Sequence, residues 1–140
     1  MKNIVYLSTA VTLLNDDQLI DILTSARKNN AERNVSGMLL YSEGTFIQVL
    51  EGEDTQVDAI FAKIETDPRH KNLITLINGS IVHKNFAEWA MGFTTVNTAK
   101  VADLLGYLKS MDSVHEKSDN NAAIITLKTF IETNKLVIRS

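Results

Sequence analysis

Gln48 is the residue of this chain whose chemistry most needs explaining. Strand side chains alternate between faces, so in Thr45-Phe46-Ile47-Gln48-Val49-Leu50 a primary amide shares a side with Phe46 and Leu50, while Ile47 and Val49 face the other way. A buried amide left unpartnered costs about 1–3 kcal/mol. Gln48 therefore needs donors and acceptors around it, and a ligand can supply some of them. The same alternation in the first apolar run groups Ile4, Tyr6 and Ser8 on one face, with Val5 and Leu7 on the other. Further polar groups gather where helices should end: Lys28, Asn29 and Asn30 in one place, Lys63, Asp67, Arg69 and His70 in another. With Ile22 and Ile64 as apolar walls they would form a slot offering amides to carbonyl or imide edges and cations to a phosphate. Each of these residues also has an ordinary reading: a satisfied core amide for Gln48, a helix C-cap for Asn29-Asn30, an exposed ion cluster for the charges. Only the joint pattern carries weight.

The elements that must position these groups follow from periodicity and turn chemistry. Ser36 to Gly52 reads as a β-hairpin turning at Ser42-Glu43-Gly44. Before it, Asn3 to Thr9 is a strand, and Asn15-Asp16-Asp17 caps a helix with the stripe Leu19, Ile20, Ile22, Leu23, Ala26, running out in Arg27-Lys28-Asn29-Asn30. After it, Val57, Ile60, Phe61 and Ile64 have i, i+3, i+4, i+7 spacing, and Pro68 closes that second helix. Leu73 to Val82 is predicted as a fourth strand broken at Asn78-Gly79, and Ala90 to Val96 as a short fifth. Val101, Leu104, Leu105, Leu108 and Met111 suggest a helix, Asp112 to Asn121 a polar connector, and Ala122 to Lys135 another helix.

A β-α-β-β-α-β order with an added strand predicts an α+β, ferredoxin-like sandwich with both helices on one sheet face and the first and third strands central and parallel. Tyr6 and Gln48 would then be neighbours beneath the helices. The opposite face, with Val5, Leu7, Ile47 and Val49, needs a cover, and the helical tail is the spare amphipathic material for it. The expected division is a core over 1–96 and a helical extension over 97–140 in the same compact unit.

Composition narrows the function classes. A chain of 140 residues, 44% hydrophobic and 22% charged, fits one domain with a real core. A formal charge of -3, with lysines and arginines scattered, gives no footprint for nucleic acid. No apolar run reaches the roughly 18 residues a membrane span needs, and Met1-Lys2-Asn3 leads straight into a strand, so the simplest address is cytoplasmic. Without cysteine there is no disulfide, thiolate nucleophile or thiolate metal ligand, and His70, His83 and His115 lack metal-ligand spacing.

The motifs together resemble one family, the BLUF domains, blue-light sensors using flavin. The resemblance runs from about Ile4 to Phe93 and is carried by Val5-Tyr6-Leu7-Ser8, Arg27-Lys28-Asn29-Asn30, Val35-Ser36-Gly37-Met38-Leu39, Gly44-Thr45-Phe46-Ile47-Gln48-Val49-Leu50-Glu51-Gly52, Asp67-Pro68-Arg69-His70 and Phe86-Ala87-Glu88-Trp89-Ala90-Met91. It implies a non-covalent flavin, FAD in the first place with FMN or riboflavin as alternatives, held between Ile22 and Ile64. Asn30 would meet the pyrimidine edge, with Asn29 beside it where some members carry histidine. Lys28, Lys63, Asp67, Arg69 and His70 would lie toward the ribityl chain and phosphate. Gln48 would bridge the flavin and the Tyr6 hydroxyl, with Ser8, Trp89 and Met91 around this photoactive group. Light would drive electron and proton transfer from the tyrosine, and the glutamine would rearrange by rotation or tautomerisation. The implied function is a photoreceptor without catalytic output of its own, acting on a protein partner or on its own oligomer. The rivals are a light-independent ferredoxin-like ligand-binding regulatory module and a small flavin-using oxidoreductase.

Overall fold

The computed structural model of the chain describes residues 1–87, 90–95 and 121–139. Strand β1 (Lys2–Ala10) leads into helix α1 (Asp16–Glu32), the hairpin β2 (Ser36–Ser42) and β3 (Thr45–Gly52), helix α2 (Asp54–Glu65), β4 (His70–Ser80), β5 (Gly92–Thr95) and helix α3 (Asn121–Arg139). The strands form one sheet in the order β4-β1-β3-β2-β5. Its local chemistry is what the sequence predicts in several places. Asn15 and Gln18 cap α1 reciprocally, each side chain accepting from the other's backbone N–H at 2.9 Å. Glu43 (φ 45°) and Gly44 (φ 91°) form the two-residue hairpin turn with positive φ at both positions, the twist that suits paired strands.

Two expectations are corrected. β1 and β3 are central but antiparallel, with Tyr6 directly opposite Gln48. The connectivity requires it: the crossover through α1 returns β2 in the direction of β1, and the tight hairpin then reverses the chain into β3. β4 begins at His70 and continues through Asn78 and Gly79 to Ser80, because pairing with β1 overrides the turn propensity of that dipeptide. The irregularity sits elsewhere, in register shifts opposite Val5/Tyr6 and Leu7/Thr9, the second beside Asn72 at φ 55°.

Each sheet face has its own core. On one side α1 and α2 pack Leu19, Leu23, Val57 and Ile60 against Ile4, Tyr6, Leu39, Phe46 and Leu50. On the other, Ala123, Ile124, Leu127 and Ile131 of α3 cover Val5, Met38, Leu40, Ile47 and Val49. The final helix, predicted over Ala122 to Lys135, thus exists and covers the second face as expected. The helix predicted around Val101 to Met111 and most of the polar connector lie outside the described residues. Among the described residues no helix is long and apolar enough to cross a membrane.

Candidate functional site

Between α1 and α2, above the middle of the sheet, lies a cleft open to solvent on one side. Tyr6 and Gln48 form its floor, and Ile22 and Ile64 line it from the two helices. Both floor residues are buried, at 4% exposure each, despite their polar groups.

The polar groups of the floor form a chain. The Tyr6 hydroxyl donates a short hydrogen bond to Gln48 Oε1, and Gln48 Nε2 donates to Met91 Sδ at 3.4 Å. A donating phenol fixes the amide's orientation: the carbonyl faces Tyr6, and the NH2 group faces Met91 with one N–H to spare. Burial, helped by the nearby Asp67 carboxylate, holds the Tyr6 pKa well above its usual value, so the phenol keeps its proton in the resting protein. Phe61 and His70 flank the ring at centroid distances of 5.6 and 6.4 Å. Gly37 supplies the room, since a Cβ there would stand 1.8 Å from the Val49 carbonyl oxygen and 3.4 Å from the Met91 methyl.

One end of the cleft is charged. The Asp67 carboxylate accepts from Arg69 Nε at 2.9 and 3.1 Å and from the Arg69 backbone N–H at 2.9 Å. The guanidinium holds the Asp67 pKa below the usual carboxylate range, and the carboxylate raises that of Arg69. His70 Nε2 lies 2.6 Å from the Ile64 carbonyl oxygen and so donates to it. Lys63 stands exposed at the rim.

Two buried polar atoms that face this region have no hydrogen-bond partner among the described residues: Ser8 Oγ and His70 Nδ1. Buried polar groups are ordinarily satisfied. Their presence around an apolar-walled slot, with the spare N–H of Gln48, fits a flat ring system bearing donors and acceptors on its edge, which is the chemistry of a flavin.

Asn29 and Asn30 line the cleft, and the Asn30 amide N–H donates to the Ala90 carbonyl oxygen at 2.7 Å, leaving its own carbonyl for another donor. Lys28 does not line the cleft; helical phase turns it to the exposed side of α1. Met91 is buried against Gln48, whereas Trp89 lies outside the described residues. Some contributors were not foreseen as site residues. Arg27 Nε donates to the Met91 carbonyl oxygen at 3.0 Å, a contact across 64 residues that no local pattern shows. Ser25, Ala26, Leu39, Phe46 and Ile60 also line the cleft, and the helical and strand periodicities that placed Ile22, Ile64 and Gln48 would have found them.

A profile described as "BLUF: Sensors of blue-light using FAD" matches residues 1–92. The chain belongs to the BLUF family. As a BLUF domain it binds flavin and senses blue light, and the light-independent module and the small oxidoreductase are not favoured. One relative, a photoactivated adenylate cyclase subunit alpha of Euglena gracilis, is 41% identical over 93 residues, which is 65% of this chain but 9% of that protein. Among solved structures, the ground state of BlsA is similar with a TM-score of 0.63 at 33% identity, over 74% of this chain and 69% of that one. A bacterial light-regulated adenylyl cyclase is similar with a TM-score of 0.65 at 32% identity, over 83% of this chain and 34% of that one. The shared part is thus the sensor, and this chain spans only a small share of the cyclase relatives.

Proposed function

We propose that this BLUF domain signals by re-partnering the Gln48 amide and delivers the signal through protein contacts rather than catalysis. The observation that carries the proposal is the buried chain from the Tyr6 hydroxyl through Gln48 to Met91 Sδ. A flavin held in the cleft would supply the light-excited acceptor for an electron and a proton. Tyr6 is the donor, protonated in the resting state and already directed at the amide carbonyl. While the phenol's proton and electron are displaced, the Gln48 carbonyl loses its donor, and rotation or tautomerisation of the amide gives it a new set of partners; the electron and proton then return to Tyr6, so the cycle carries no net oxidation. Because both arrangements must satisfy a buried amide, the intermediate positions are disfavoured, which makes the element bistable. Met91, at the amide's far side, is the first residue to meet a changed partner.

Around this switch, Ile22 and Ile64 would hold the ring faces and Asn29 and Asn30 the pyrimidine edge, and Ser8 and His70 offer their unmet polar atoms. Lys63, Asp67 and Arg69 would take the ribityl chain and phosphate of FAD, with FMN or riboflavin as alternatives. Lys28, exposed and outside the cleft lining, is given no contact in this reading, and Trp89 is placed on the output side by resemblance. The sensor occupies 1–96, and 97–140 is its output extension, acting in the cytoplasm on another protein or a second copy of the chain. The test is spectroscopic: purified protein reconstituted with FAD should show a small, reversible red shift under blue light, without net flavin reduction in the absence of a donor. A protein that takes up no FAD, or binds it and shows no shift, refutes the proposal.

A further inference from the structure

Glu51 is a carboxylate with no place in the switch chemistry, yet it is 0% exposed. On β3 it shares a face with Ile47 and Val49, the side covered by α3, and it stands directly opposite Asn3 of β1 and Ser36 of β2. Those neighbours do not explain it, since Asn3 Nδ2 and Ser36 Oγ are themselves buried without partners among the described residues. Its two oxygens instead take two consecutive backbone donors from the connection between β4 and β5: the Asn85 N–H at 2.9 Å and the Phe86 N–H at 2.8 Å.

That connection touches both cores. Phe86 is fully buried in the cluster with Ala123, Ile124, Leu127 and Ile131, against α3. Met91, on the same short segment, belongs to the opposite core and receives the Gln48 N–H. The segment is held at its far end too, by Arg27 on the Met91 carbonyl and Asn30 on the Ala90 carbonyl. Glu51 itself sits three residues from Gln48 on the same strand, so the switch and the clamp share one rigid element.

We propose that Glu51 is a positioning residue: its carboxylate pins the Asn85-Phe86 backbone so that one segment presents Met91 to Gln48 on one sheet face and Phe86 to the C-terminal helix on the other. The part of this that concerns light rests on the blue-light reading above; the clamp does not. Ionised, a carboxylate has two acceptor oxygens for two N–H groups. A glutamine keeps the shape but sets an NH2 against one of them, so Glu51→Gln isolates the clamp.

The experiment uses the full chain reconstituted with FAD at pH 8, where the Glu51 carboxylate is ionised. In the dark, amide hydrogen exchange at Asn85 and Phe86 should be slow in the wild type and about tenfold or more faster in Glu51→Gln. Under blue light, the wild type should show a light-minus-dark exchange difference at residues 123–131, and a wild type without one overturns the route to the helix; the Glu51→Gln flavin should still red-shift while that difference disappears. Wild-type protection of those two amides in the variant, or an undiminished light difference in the helix, overturns the assignment. If Glu51→Gln does not fold, Phe86→Leu serves: the two amides should stay protected and the red shift persist while the helix difference is lost, and a retained difference overturns the route. Absence of a red shift in the wild type would sink the light-sensing proposal, whereas the clamp is still decided by the dark amide protection.

Discussion

Burial of Glu51 should make this protein lose stability as pH rises toward 8, the reverse of what a surface carboxylate does. Desolvation pushes the carboxyl up to about 7 from an ordinary 4.5, against the two backbone donors and the Lys84 ammonium, which pull it down. Asn3 and Ser36, its cross-strand neighbours, are neutral. The folded state therefore holds this proton more tightly than the unfolded state does. The resulting stability is fully present below about pH 4.5 and is lost as pH rises through 7. A difference of about 2.5 pH units, at about 1.4 kcal/mol per unit, amounts to about 3–4 kcal/mol. Urea unfolding at a fixed excess of FAD, from pH 5 to pH 8, would measure it. Glu51→Gln should remove the slope while leaving one buried N–H unpartnered, a cost of about 1–3 kcal/mol at every pH. The variant should then be the less stable protein at pH 5, with the gap closing or reversing by pH 8. Asp67 contributes with the opposite sign, since its lowered pKa adds stability that is lost only as pH falls below the usual carboxylate range, outside this window. A wild-type stability that is flat or rising between pH 5 and 8, or a slope that survives in Glu51→Gln, refutes the reasoning.

Other outcomes follow from the same geometry. Tyr6→Phe and Gln48→Ala should each still bind FAD but show no red-shifted state, as absorbance under illumination would reveal; a normal photocycle in either contradicts the switch. Gly37→Ala sets a Cβ 1.8 Å from the Val49 carbonyl oxygen, so the β2-β3 pairing must shift; we expect a loss of about 2–3 kcal/mol by urea unfolding, and an unchanged midpoint would contradict it. Leu127→Ala empties a fully buried site beneath α3 and should cost about 2–5 kcal/mol while leaving FAD affinity near wild type, as titration can show. Met91→Ala should keep the red shift but lose light-dependent protease sensitivity in the region beyond residue 96; retained sensitivity counts against Met91 as relay.

The sequence shows the floor of the site clearly and its surroundings unevenly, for physical reasons. Tyr6 and Gln48 are legible because strand alternation is strict: a polar residue in phase with Phe46 and Leu50 must be inside, and the two turn out to be direct cross-strand partners. The direction of β1 relative to β3 was open to error because both are short apolar runs, and only the count of chain reversals fixes it. Lys28 and Arg27 are adjacent, alike in charge and both exposed, yet about 100° of helical phase brings Arg27 to the Met91 backbone while Lys28 does not line the cleft. Glu51 is half legible: the alternation that internalises Ile47 and Val49 internalises it as well, but a glutamate's default is solvent, and its partners lie in a connection with no periodicity.

The placement of Gln48 and Glu51 on β3 is a consequence of sheet geometry. A switch that answers to a chromophore on one face and a helix on the other needs a strand with both faces covered, which excludes an edge. β4, at the edge, shows the contrast: Ile74 and Leu76 are 57% and 43% exposed there. On a central strand, residues an odd number apart point to opposite faces, so three positions carry the chain from an amide beneath α1 and α2 to a carboxylate beneath α3. The strand is too well paired to bend between them, with β1 on one side and β2 on the other. On the proposed switch, motion at Gln48 would leave through side-chain partners, and Met91 is a partner that lies five residues from Phe86 in the chain. Moving the carboxylate by one residue would turn it to the chromophore face and unfasten that segment from the strand.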